Sequence, residues 1–196
     1  KAKQAGIKRA VYIGSYYPQV APKKINTSAY VKSRHLADEA IRAMSDDSFC
    51  VCSLNAPFII GHVNHVAAPH LKALVQYCAG QIKELPLVAP AGGVNHISAQ
   101  SVAEAIEGAL ERGQCGHAYL IGDENISWKD YFELFCKVAG NPQTLSVSTE
   151  EHPMLPDIIL YAGRNATIHY SPENAPLNYS TNQIKATIEQ VVKAYL

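Results

Sequence analysis

Apolar residues along the chain fall into two patterns. Continuous runs, Ala10-Val11-Tyr12-Ile13 and the stretch from Phe49 to Leu54, have the character of strands buried on both faces, as in a parallel sheet. They predict strands over 8–15 and 49–54, the second preceded by the turn-forming Ser45-Asp46-Asp47-Ser48 and ended by Asn55-Ala56-Pro57. Between them Ala29, Leu36, Ala37, Ala40, Ile41 and Met44 recur at helical spacing, which predicts a helix over 29–44 with Thr27 or Ser28 as its N-cap. Residues 1–6 read as a helix tail closed by Gly6.

Beyond Gly61 the alternation continues. A helix is predicted over 69–79, inside a His-rich, Pro-bounded stretch that is otherwise irregular. Ser98 or Ser101 starts a helix through Leu110 that Gly113 stops, a strand follows over 117–121, and Ser127 with Asp130 suggests a capping box for a helix ending at Gly140. Pro153, Pro156, Pro172 and Pro176 break the tail before a last amphipathic helix over 182–195, so most of the tail is expected to wrap the sheet rather than extend it.

Composition narrows the picture to an ordinary globular chain: 47% of the 196 residues are hydrophobic and 17% charged. Seventeen Lys and Arg balance seventeen Asp and Glu, which leaves no basic footprint for nucleic acid or an acidic membrane. No run approaches the roughly 20 apolar residues of a spanning helix, and the start Lys-Ala-Lys-Gln has no apolar signal core. The expected partner is a small molecule. Five cysteines, with Cys50, Cys52 and Cys136 inside apolar runs, read as reduced core thiols and predict a cytoplasmic setting.

Candidate chemistry begins with Tyr30 and Arg34, four residues apart and therefore on one helix face. A phenol that exchanges protons near neutrality needs a positive neighbour, since a free phenol titrates near roughly 10. An exposed Tyr/Arg pair on an ordinary amphipathic helix is the alternative at that spacing. The runs Val-Tyr-Ile-Gly-Ser and Ala-Tyr-Val-Lys-Ser-Arg-His-Leu-Ala-Asp-Glu-Ala decide between them, because they resemble the extended short-chain dehydrogenases, the epimerase/dehydratase group. The stretches from Ser53 to Gly61, from Asn95 to Ala105, from Gly116 to Gly122 and from Ser127 to Gly140 are similar to that family in the same order.

The resemblance implies an α/β fold: the C-terminal portion of a doubly wound, Rossmann-like parallel sheet that binds NAD or NADP, with a smaller mixed substrate-binding part. Residues 1–61 and 94–125 would form the second half of the dinucleotide-binding sheet with the catalytic helix, and 62–93 and 126–196 the substrate part. It further implies an oxidoreductase or epimerase acting on a carbon that bears a hydroxyl or carbonyl. Tyr30 would be the acid/base, Ser15 or Tyr16 the hydroxyl partner of the substrate oxygen, and Asn55, Ala56, Pro57 and Phe58 would lie at the nicotinamide end. Ser15, Tyr30 and Arg34 would touch the cofactor as well, and the Tyr30 helix would be a homodimer contact.

Three departures stand out. The family pattern is Tyr-x-x-x-Lys, whereas Arg34 occupies the lysine position; Ser101 stands where the family has aspartate; and no glycine-rich fingerprint follows any strand. In the family that fingerprint lies upstream of the region equivalent to Lys1. The rival reading is a non-catalytic relative, a cofactor-sensing or scaffold module that has lost the lysine. Elsewhere, His62, His65 and His70 match no metal spacing, so no metal is expected. Trp128 and Tyr131 to Phe135 read as core residues of a helix, a pocket-lining role for one of them being the alternative. Arg164, after Gly163, is a candidate for a substrate phosphate or carboxylate, with a surface salt bridge as the alternative. The neutral stretch from Val63 to Leu87 favours an uncharged or apolar substrate, such as a ketone, over a nucleotide sugar.

Overall fold

The computed structural model describes residues Lys1–Leu196 and is α/β, as the alternation of strand and helix implies. In chain order the first half contains β1 (Arg9–Ser15), α1 (Tyr17–Val20), α2 (Ala29–Arg42), β2 (Cys50–Ala56), β3 (Phe58–Ile60), α3 (Pro69–Cys78), β4 (Ala89–Pro90) and β5 (Gly93–Ser98). The second half contains α4 (Ala99–Arg112), β6 (Ala118–Leu120), β7 (Glu124–Ser127), α5 (Trp128–Val138), β8 (Val147–Ser148), β9 (Thr167–Ile168) and α6 (Ile184–Tyr195). Two compact units share these elements: unit 1 is Lys1–Pro57, Gln100–Gly122 and Ser171–Thr181, and unit 2 is Phe58–Ala99, Asp123–Tyr170 and Asn182–Leu196.

Unit 1 is built on a parallel sheet in the order β1-β2-β6. β1 and β2 pair from Arg9↔Cys50 to Ser15↔Ala56, and all seven residues of β2 are buried, which explains its unbroken run of apolar and small residues. The crossover between them is α2. Ser28, not Thr27, caps it, its Oγ accepting from Val31 N–H at 3.4 Å. Val31 and Asp38 face inward, and Asp38 pairs with Arg42, which also donates to Gly116 O at 2.9 Å. The opposite face leaves Leu36 and Met44 about half exposed. On α4 only glycine fits at position 108, because a Cβ there would stand 2.0 Å from Leu177 O. Residues 1–6 form turns rather than a helix, with Gly6 at φ 79.

Unit 2 carries strands that the apolar pattern does not reveal. β5 pairs in parallel with β3 and β9 and antiparallel with β7, and β4 pairs with β8. Gly93–Ser98 is strand and α4 begins at Ala99, so of the two candidate starts Ser98 is the one that precedes the helix and Ser101 lies inside it. Part of the tail, Thr167–Ile168, does extend a sheet. α3, α5 and α6 pack into one apolar core around Leu74, Val75, Phe132, Phe135, Ile188 and Val191. Ser127 caps α5, its Oγ accepting from Asp130 N–H at 3.0 Å, but the expected box is incomplete: the Asp130 carboxylate accepts from the Ser127 hydroxyl at 2.6 Å rather than from its backbone N–H.

The cysteine reading needs correction. Cys50 is bonded to Cys115, while Cys52, Cys78 and Cys136 are buried free thiols. Strand register explains the bond: β2 pairs with β6 at Ser53↔Ala118, an offset of 65 residues, and 65 is also the separation of the two cysteines. The bond removes the cysteine argument for a cytoplasmic setting. No helix is long and apolar enough to cross a membrane.

His96, in β5, is 1% exposed, stacked on Tyr131 with centroids 4.5 Å apart and edge-on to Trp128 at 5.3 Å. Its Nδ1–H donates to Val94 O at 3.2 Å, and Nε2 has no partner. Burial holds it down to about 4, with the Val94 bond opposing.

Two expectations follow from this packing. Closing a loop of this length is worth about 4 kcal/mol in the chain-entropy model, so Cys50→Ser should lower the urea midpoint, and dithiothreitol should lower the parent protein's but not the variant's. Equal loss in both would show that the bond does not stabilise the fold. For His96 the folded group titrates below the unfolded one, so the unfolded chain takes up the proton first as pH falls. Stability is intact above about 6.5 and declines by up to about 3 kcal/mol towards pH 4. His96→Phe should flatten that decline in denaturation at several pH values, leaving the smaller slope of His152, which burial also holds down. An unchanged slope would remove His96 as its cause.

Candidate active site

In open α/β sheets, ligands meet the carboxyl ends of the strands, where backbone groups and loops converge. At that end of unit 1 the register sets Gly14 beside Asn55 and Ser15 beside Ala56. Tyr16 N–H continues the ladder to Ala56 O at 3.1 Å before the chain turns into α1. Ser15 Oγ accepts from Tyr17 N–H at 3.5 Å, which holds the turn at the strand end.

Tyr16 and Tyr17 are both buried, their ring centroids 4.3 Å apart, and Tyr17 meets Tyr30 edge-on at 6.4 Å. Tyr30 stands in the first turn of α2 and is partly exposed. Arg34 lies one turn on, with its guanidinium over the Tyr30 ring face, 5.4 Å from the centroid. Three tyrosines and an arginine thus form one cluster beside the ends of β1 and β2. Ser15, Tyr16, Tyr30 and Arg34, singled out from sequence, all belong to unit 1.

Two polar atoms at this site are buried and unmatched: Asn55 Oδ1 and Arg34 Nε. The other end of the Asn55 amide is engaged, Nδ2 donating to Gln19 Oε1 at 2.9 Å. Gly14 makes room for it, since a Cβ there would stand 2.0 Å from Asn55 Oδ1. An unmatched acceptor and an unmatched donor fit a ligand rich in hydroxyl or amide groups, as the nicotinamide-ribose end of NAD or NADP is. No Gly-rich turn follows β1 or β2, so the fit is to that end and not to the pyrophosphate.

Ala56 and Pro57 complete the strand end in unit 1, whereas Phe58 belongs to unit 2. There it is edge-on to Trp128 at 5.1 Å. Arg164, also in unit 2, is held by Asp157: Nε donates to Oδ1 at 2.9 Å and to Oδ2 at 3.0 Å. That contact holds Asp157 below the usual carboxylate range and raises Arg164, the mutual signature of an exposed ion pair. Lys32 is exposed on α2. Tyr17 and Gln19 escaped the sequence reading. The doubled tyrosine in Ser15-Tyr16-Tyr17-Pro18 is the signal that could have found Tyr17, whereas nothing local marks Gln19 as the partner of Asn55.

No family model and no curated protein matches the chain. Solved structures do. The protein designated gox2253 superposes with a TM-score of 0.71 at 18% identity, covering 99% of this chain and 67% of its own. RMD from Pseudomonas aeruginosa, complexed with NADPH, gives 0.67 at 14% identity, covering 98% and 68%. UDP-N-acetylglucosamine 4-epimerase from Bacillus cereus gives 0.67 at 13%, covering 98% and 65%. At such identities the likeness is one of fold, a Rossmann-like α/β fold. The chain spans about two thirds of the length of these proteins.

Proposed function

We propose that the chain carries the acid/base and substrate-side portion of an NAD- or NADP-dependent oxidoreductase or epimerase that acts on a hydroxyl or carbonyl carbon. The observation that supports it is the cluster of Tyr16, Tyr17, Tyr30 and Arg34 at the carboxyl ends of β1 and β2, in a fold shared with an NADPH-complexed protein and an epimerase. Tyr30 Oη exchanges the proton of the substrate oxygen, and Ser15 or Tyr16 hydrogen-bonds that oxygen. Asn55 and Arg34 would hold the nicotinamide-ribose end through Oδ1 and Nε–H, with Ala56 and Pro57 beside it, and the bound group would supply the acceptor and donor of hydride. Residues 62–93 and 126–196 serve the substrate. The exposed face of α2 at Leu36 and Met44 is where a second copy docks.

A second reading, a non-catalytic cofactor-sensing or scaffold relative, is favoured by one observation: the Arg34 guanidinium lies over the ring of Tyr30.

Tests separate the two. With NADH or NADPH and a panel of carbonyl compounds, Tyr30→Phe should lower kcat by about 10²–10⁴-fold while cofactor binding persists; an unchanged kcat removes Tyr30 from the chemistry. If the parent protein binds cofactor without turnover and Arg34→Lys restores it, the non-catalytic reading holds. Leu36→Glu should shift sedimentation from dimer to monomer, and a parent protein that sediments as a monomer would exclude the α2 contact.

A further inference from the structure

Unit 2 holds a cavity of about 550 Å³ whose lining includes none of Ser15, Tyr16, Tyr30 and Arg34. Its walls come from α3, α5 and the segment around Pro153 to Ile159, all within one compact unit. Phe58, Leu74, Trp128, Tyr131 and Phe132 are among the lining residues, and no Asp, Glu, Lys or Arg side chain is. A core with an open volume of this size forfeits the dispersion contacts its lining atoms would otherwise make. A cavity of 300–1,000 Å³ with aromatic walls is also the usual form of a small-ligand site.

The chemistry of the walls selects the occupant. The Trp128 ring meets Phe58 edge-on at 5.1 Å and Tyr131 at 5.9 Å, so the lining is a fixed set of ring faces and edges. Among the lining side chains only His70, at the exposed side, can carry a positive charge, and no Lys or Arg is present, so a phosphate or carboxylate deeper in the cavity would be desolvated without a partner. His96, packed against Phe58, Trp128 and Tyr131, is held neutral by burial and offers no cation either. Ile59 and Ile159, 47% and 38% exposed, line the cavity and reach solvent, so the way in is also apolar.

We infer that this cavity is a binding site for an uncharged, ring-bearing apolar small molecule. The inference rests on unit 2 alone and stands whether or not the chain transfers hydride.

Trp128 is the single tryptophan of the chain and lies in the wall, which provides the readout. Titration with N-phenyl-1-naphthylamine, an uncharged aromatic fluorophore, should quench Trp128 emission saturably with one site per chain, by energy transfer to the bound probe. Ala73→Leu, which adds volume at the cavity wall, should weaken the probe by about ten-fold. Ile159→Asp, at the exposed rim and thus less able to disturb folding, should weaken it similarly, and both variants should keep the parent's near-ultraviolet circular dichroism. An uncharged aryl ketone should displace the probe, and uridine diphosphate should not. Absence of saturable quenching, or unchanged affinity in both folded variants, would overturn the site. Displacement by uridine diphosphate would overturn its ligand class. Loss of turnover in Tyr30→Phe with probe binding intact would leave this site standing, and a parent protein that turns over but does not bind the probe would remove this site alone.

Discussion

The parallel register of β1 on β2 is the constraint on which unit 1 depends. Parallel neighbours cannot be joined by a tight turn, so the chain must cross over, and the crossover here is α2. The crossover returns the chain to the start of β2 and leaves the helix start, with Tyr30, near the end of β1. The same register sets Ser15 beside Ala56 and Gly14 beside Asn55, so the hydroxyl and phenols of Ser15-Tyr16-Tyr17 meet the Asn55 amide, which is far from them in sequence. A slip of one residue would turn every β2 side chain to the opposite face of the sheet and push Asn55 off its glycine. It would also part Cys50 from Cys115, because that bond shares the β2–β6 offset.

Where elements are long and evenly patterned, the sequence was legible. The 29–44 periodicity marks α2, and Ala10 to Ile13 marks β1, although α2 buries only Val31 and Asp38 and β1 buries only Ser15, so β1 is not the strand buried on both faces that its apolar run predicts. Unit 2 was less so. β4, β8 and β9 have two residues each and β3 has three, too short for any period to register. Gly93 to Ser98 is wholly buried and therefore lacks the alternation that marks a half-exposed strand.

The site was legible in position and less so in its contacts. Spacing put Tyr30 and Arg34 on one face, and the structure brings them together. Spacing could not tell whether the cation faces the hydroxyl or the ring, because that depends on the rotamer of a long side chain. The Cys50–Cys115 bond was hidden for a related reason. Each cysteine looked complete in its own segment, one in an apolar run and one in a turn before β6, and only the register across β2 and β6 relates them.

Arg34 concentrates the chemical question. An ammonium is a point charge on a flexible stem, able to approach a hydroxyl end-on, whereas a guanidinium is planar and weakly hydrated and favours flat contact with a ring. In this chain the guanidinium lies over the Tyr30 ring, 5.4 Å from its centroid, and the Arg34 Nε–H is left buried and unmatched. An unmatched donor costs folding free energy until something accepts its hydrogen. A ligand that carries an acceptor would relieve that cost, in a working catalyst and in a cofactor sensor built from the same parts alike.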